Sequence, residues 1–474
     1  MPGRHTGNAR HLTDPANKIY YGTMEEGFYE VDVNSLEPKM LYEDGNVSRK
    51  AGEMAQEAAL LPGAHGKGLY SGQVVMVYSN NGETGEAALR QFDIEAGGLF
   101  EWDGKEWKLV RRNQFVEVTG PGGIQGNPNP ETDPIWATGW DHKSVLLAVR
   151  NPETGWDFFR LPKASHSYDG AHGWNTEWPR IRDIGTGDKP DYLMTMHGMF
   201  WQFPKSFTAG QSSGIRPRSA YLKVIGDFAR WNGQLVFGCD DSANREFLNK
   251  RKHKGGIEGP GQSNSNLWFT SLDKPDRLGT TTASGSVWLN DRVQAGDVSE
   301  PFLFAGWPGR GAWIHNGGET PAVFVLEVDR EGTRNWSKLK TVSLAEGESS
   351  FIEFDPREPG EWIRVKANAP ALATVSFNYS GDEKRTASAS PLFKGIAKVT
   401  RDRTTGGLLY GLGDNRRALG VAAVTFEDGK ASETGYYELD SRLNLIKKED
   451  PQTHAFIREK FAVPEKVIDV QESS

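Results

Sequence analysis

A chain of 474 residues with 55 Gly, 25 Pro and 15 Trp reads as many short strands joined by tight turns, without the Ala/Leu/Glu/Lys runs of a helical protein. Its net charge of −8 argues against general nucleic-acid binding, and no run approaches the ~18 apolar residues of a membrane-spanning helix. The single cysteine, Cys239, excludes an intrachain disulfide.

The N-terminal run MPGRHTGNARHLTDPANK has no apolar core, so no secretory leader is expected. The expectation is a cytoplasmic protein, or an exported one whose leader has been removed. Residues 1–17 are expected to form a flexible segment, 18–462 one β domain and 463–474 a tail. Glu25 to Asp32 reads EEGFYEVD and is followed by NSLEPKMLYED. AHGKGLYSGQ, with His65, is a Gly-rich turn. VVMVYSNN is an apolar strand, and LFEWDGKEWKLV a hairpin with Asp-Gly at its tip. WATGWDHKSVLL leads into SVLLAVRNPETGWDFFRLP, two strands across a Pro/Gly turn. YLMTMHGMFWQFP, YLKVIGDFARWNGQLVFGC and SNLWFTSLD continue the series. The basic run KRKHK reads as an exposed turn, and GGIEGPGQSNS as a flexible loop. From 320 to 380 five strands alternate with period two, which suits a small β-sandwich insertion or two large blades. Near the end ETGYYELD (Glu433 to Asp440) echoes EEGFYEVD. Recurring hairpins without βαβ alternation, and a unit repeated at both ends, predict an all-β, seven-bladed β-propeller closed by its N- and C-terminal strands.

One segment concentrates site chemistry. Ser165 to Ile181, SHSYDGAHGWNTEWPRI, carries two His, one Tyr, one Asp, one Glu, one Arg and two Trp. His142 lies just upstream. Groups that titrate near neutrality, a cation and flat rings suit a site that holds an acidic sugar and moves its protons.

WDHKSVLL, SHSYDGAHGWNTEWPRI, MHGMFWQFPKSF, SSGIRPRSAYLKVIGDF and AHGKGLYSGQ resemble the seven-bladed propeller enzymes that attack rhamnose–uronic acid glycans. These are the ulvan lyase and rhamnose–glucuronate lyase group, with relatives that hydrolyse the α-L-rhamnosyl–glucuronate bond. The resemblance implies a polysaccharide lyase acting by β-elimination on an acidic polysaccharide or oligosaccharide of rhamnose and uronic acid. It implies two histidines, a Tyr and an Arg, matched here to His142, His166, Tyr168 and Arg216. His172 is an alternative to His166, and Arg218 to Arg216. His172, Trp174, Trp201 and Arg218 are expected to bind substrate. Tyr192 and Tyr221 are other candidates for the Tyr. The hydrolytic relatives imply one catalytic His, for which His65 is the candidate. A glycan-binding propeller without catalysis is the third reading.

No cofactor is required by this chemistry. A structural zinc or calcium ion could be held by His197, Cys239 and His253 with a carboxylate such as Asp241, although no C-x-x-C or H-x-x-x-H spacing marks the site. Neither a nucleic-acid nor a membrane partner is expected. No phosphate loop or dinucleotide fingerprint occurs.

Overall fold

The computed structural model describes residues 6–10, 18–23, 27–43, 67–71, 74–80, 97–123, 126–151, 155–164, 180–221, 224–240, 265–382, 404–412, 418–427 and 430–460. The described chain is all-β apart from a short 3-10 turn and one helix, Pro451–Lys460. Its repeated element is the sequential antiparallel meander, the unit from which a propeller blade is made.

The first meander runs Thr6–Arg10, Lys18–Thr23, Gly27–Asp32 and Pro38–Glu43. The second runs Lys67–Ser71, Val74–Asn80, Gly98–Trp102 and Trp107–Arg111. The third is Gln114–Thr119, Ile135–Trp140, Val145–Asn151 and Gly155–Leu161. The fourth is Arg180–Asp183, Tyr192–Met196, Met199–Phe203 and Arg216–Ala220. The fifth is three-stranded: Val224–Trp231, Gln234–Asp240 and Ser265–Thr270. The sixth is Thr404–Gly411, Leu419–Glu427, Lys430–Leu439 and Leu445–Lys448. The terminal echo now has a structural meaning: Gly27–Asp32 and Lys430–Leu439 are each the third strand of a four-stranded meander. The first and last meanders belong to separate sheets, so the strand pairing expected to close the ring is not formed among the described strands.

The chain divides into two compact units. One comprises Met1–Asn244 with Asn264–Lys384, the other Arg245–Ser263 with Arg385–Ser474. In the smaller unit the sixth meander and the helix share a small core of Ala422, Tyr436 and Ile457.

In the larger unit, Thr282 to Ser380 forms one four-stranded sheet and four strands of an eight-stranded sheet that continues into the third meander. One contains Thr282–Val293, Ala371–Ser380, Gly309–Asn316 and Ser349–Glu353; the other contains Trp336–Leu344, Ala322–Asp329, Trp362–Ala367 and Phe302–Leu303. Residues from 320 onward supply only part of these sheets. Thr282–Val293 and Gly309–Asn316 complete the first and Phe302–Leu303 the second, all from the chain before residue 320. Period-2 alternation in AVFVLEVD puts Ala322, Phe324, Leu326 and Val328 into the core. Phe302 pairs in parallel with Arg160, joining one sandwich sheet to the third meander.

The largest core spans the third and fourth meanders and the sandwich. Trp136 and Trp362 lie fully buried in it. Each indole donates to a backbone carbonyl, Trp136 to Phe207 at 2.9 Å and Trp362 to Ser212 at 3.0 Å, so the polar edge of each ring is satisfied as burial requires.

Candidate functional site

Trp140 pairs with Val145, which makes Asp141, His142, Lys143 and Ser144 a four-residue hairpin loop at one end of the third meander. The strand entering it passes very close to its neighbour. A Cβ on Gly139 would lie 1.9 Å from the Gln114 carbonyl oxygen, so only glycine fits there. Asp141 shapes the loop by accepting from the backbone N–H groups of Lys143 and Ser144, both at 2.9 Å, the local bonding for which Asp is favoured in turns.

A buried ionic network holds this loop. Arg160 reaches Asp141 at 2.8 Å, Glu300 at 2.7 Å and the Ser144 hydroxyl at 2.6 Å. Arg111 also pairs with Glu300. Burial alone would raise the Asp141 carboxyl's pKa. The charge and hydrogen bonds of Arg160, the Ser144 N–H and Lys163 outweigh it and hold the group well below the usual carboxylate range. Burial opposes the charge on Arg160 too, but Asp141 and Glu300 keep its pKa above the ordinary value. Lys163, 1% exposed, donates to the Asp141 carbonyl at 2.6 Å. The sandwich grips the loop from another side: Ser286 N–H donates to the Lys143 carbonyl at 2.9 Å, and the Lys143 ammonium pairs with Asp291 at 2.5 Å. His142 therefore stands half-buried on a loop fixed from several directions. That is the support a positioned proton-transfer group needs.

The cluster segment departs from this same end. Lys163 and Ala164 are the last described residues before it, and Ala164 N–H donates to the His197 carbonyl at 3.0 Å. His166, Tyr168, His172 and Trp174 lie outside the described residues, as do His65, His253 and Asp241. The chain resumes at Arg180, where Arg180 and Arg182 both pair with the buried Glu117, at 2.9 and 2.7 Å.

The remaining candidates are placed elsewhere. Arg216 holds Glu361 through both guanidinium nitrogens, at 2.8 and 2.5 Å. It shows the bidentate carboxylate grip expected of it, but the carboxylate is the chain's own. Its strand pairs Arg216 with Gln202 and Ala220 with Met199, which puts Arg216 at the end of its blade away from His197 and Ala164. Arg218 is taken by Asp191 and Asp276. Trp201 is fully buried against Trp307, ring centroids 5.5 Å apart, and offers no face to a sugar; it is core. Tyr192 and Tyr221 are also buried.

His197 and Gly198 are the two-residue turn between Met196 and Met199, with φ of 40° and 78°. The buried His197 ring packs edge-on to Trp140 at 5.7 Å. Cys239 lies in the core of the fifth meander with Phe228, Leu235 and Phe237. Among the described residues no three His, Cys, Asp or Glu side chains converge as a metal site.

Sequence reading passed over Asp141, Arg160, Lys163 and Glu300, the residues that build the loop. Only Asp141 carried a signal, an Asp at the head of a strand-to-strand turn.

No family model and no curated protein matches the chain. Solved structures overlap it at low similarity. An exo-β-1,3-galactanase from Phanerochaete chrysosporium, solved with galactose, is 7% identical over 79% of this chain and 96% of its own, at a TM-score of 0.26. A glycoside hydrolase family 43 arabinoxylan arabinofuranohydrolase from Bacillus subtilis, in complex with cellotetraose, is 8% identical over 80% and 79%, at 0.22. A prolyl endopeptidase is 9% identical over 90% and 54%, at 0.28. Overlaps at this level assign no activity.

Proposed function

We propose that the chain is a carbohydrate-active enzyme that cleaves a rhamnose–uronate glycan by β-elimination at the blade end carrying His142. One observation carries the reading. Lys163 bonds the carbonyl of Asp141, the residue before His142, at 2.6 Å. His166 follows Lys163 by three residues in the sequence. The segment that carries His166 therefore leaves the described fold beside the His142 loop.

The chemistry needs such a pair. Elimination removes the C5 proton beside the uronate carboxylate and expels the oxygen at C4. A base of near-neutral pKa takes the proton, an acid protonates the leaving oxygen, and donors stabilise the developing enediolate. His142 and His166 fill the two proton-transfer roles, with Tyr168 or His172 as the alternative second group. Arg216 is not kept as the clamp, because Glu361 occupies it.

The test is incubation with a rhamnose–glucuronate glycan, following ultraviolet absorbance and reducing ends together. Elimination creates a C4–C5 double bond conjugated with the carboxylate, so both signals should rise with wild type and neither with His142→Ala. Reducing ends without absorbance would replace this reading with hydrolysis of the α-L-rhamnosyl bond, with His65 the first residue to mutate. Binding with neither signal would leave a glycan-binding propeller.

A further inference from the structure

The fifth meander has two unlike faces. One buries Ile225, Phe228, Leu235, Phe237 and Cys239. The other is open and lines a cleft of about 940 Å³ shared with the fourth meander and Pro121 to Gly123, at the upper end of the ~300–1,000 Å³ usual for ligand sites. On its rim Trp231 is 63% exposed and Phe269 47%. Their rings meet at 6.2 Å with planes inclined at 63°, forming an aromatic corner. An Asn232-Gly233 turn, φ of 47° and 75°, holds Trp231 at the hairpin tip.

Charged side chains line the cleft as well. Arg182 donates to Asp227 at 3.2 Å and is anchored below by the buried Glu117. The Asp227 side chain is 44% exposed to the cleft. Arg230 donates through one guanidinium nitrogen to the Gly185 carbonyl at 2.7 Å, and no carboxylate pairs with it among the described residues.

The cleft is not the His142 end. In the strand Gln114–Thr119, Gln114 pairs with Trp140 and Thr119 with Trp136. Pro121, at the cleft, follows Thr119, so the length of this strand, roughly 17 Å, separates the two places.

We propose that this cleft is a second glycan-binding site, where a pyranose ring of an acidic oligosaccharide stacks on Trp231 and Arg230 receives its carboxylate. A sugar has an apolar C–H face and a polar rim, and the cleft sets an exposed indole beside donors and acceptors in the same arrangement. Arg230, which also lines the cleft, adds a guanidinium that suits a carboxylate. The acidic half of the proposal rests on the uronate reading above; the stacking half does not. The site would hold a second stretch of the polymer while the His142 end acts on the first.

Isothermal titration of the full chain carrying His142→Ala, with a rhamnose–glucuronate tetrasaccharide, separates binding from cleavage. Two sites per chain are expected. Adding Trp231→Ala should remove one, and Trp231→Phe, which keeps a ring, should retain it within about threefold. Arg230→Ala should weaken that site at least tenfold for the uronate glycan and leave binding of its carboxyl-reduced form unchanged. If only one site is found and Trp231→Ala abolishes it, the cleft stands and the catalytic reading falls. Unchanged stoichiometry and affinity in Trp231→Ala would overturn the cleft. Equal losses on both glycans in Arg230→Ala would overturn the carboxylate contact.

Discussion

Replacing Asp141 by Ala removes the strut under His142. The change deletes two Arg160 contacts, at 2.8 and 3.1 Å, and the acceptor of two loop N–H groups. Breaking a buried ion pair from one side costs about 3–5 kcal/mol. Arg160 keeps Glu300 and Ser144, and Lys143 is part-exposed so that water can serve its N–H, but Ser144 is fully buried and its N–H is left without the carboxylate, so a cost within that range, about 3–5 kcal/mol, is expected. Asp141→Asn keeps an oxygen for the loop but loses the charge and the second oxygen that accepts from Arg160, for about 1.5–3 kcal/mol. Urea unfolding followed by tryptophan fluorescence measures both, through midpoints at constant slope. The pH dependence adds a second check. The folded carboxyl titrates below its unfolded value of ~3.9, so its contribution is present above that pH and is lost as pH falls toward the folded value. The gap between wild type and Asp141→Asn should therefore be constant from about pH 8 to 5 and narrow below about pH 4. An Asp141→Ala protein within 1 kcal/mol of wild type, or a gap that widens in acid, would refute the strut.

His142→Ala should lower the rate on the uronate glycan by about 10²–10⁴ while leaving the circular dichroism spectrum and unfolding midpoint unchanged, since the ring is half-exposed. Trp362→Ala should destabilise the larger unit by about 3–5 kcal/mol in urea, because the ring is fully buried against Phe159 and its N–H serves Ser212. Tyr192 donates to the Pro121 carbonyl, and burial with the charges of Asp183 and Asp133 pushes its hydroxyl up to about 12. In a spectrophotometric titration it should ionise after the ordinary tyrosines, and Tyr192→Phe should remove the step near that pH.

The strands were legible because their information is local. In AVFVLEVD or LVFGC, side chains alternate between two faces whatever the rest of the chain does, and the buried sets Phe324/Leu326/Val328 and Leu235/Phe237/Cys239 follow from that alternation. The echo of EEGFYEVD and ETGYYELD marked a repeated meander for the same reason. His142 could be seen as a candidate, since a histidine in a turn beside Trp is visible in one dimension. Its support could not. Arg160 meets Glu300 across 140 residues, and Arg216 finds Glu361 across 145. Neither pairing has a sequence signal, because a salt bridge depends on which sheets pack together. Trp201 and Trp231 are equally Trp-rich strand residues on paper, yet one is sealed in the core and the other 63% exposed. The chain's own pattern determined that it is β, where its strands turn and which face each residue takes. The stacking of one sheet on another decided which rings and charges remain available to a ligand, since burial and ion pairing are properties of surfaces brought together.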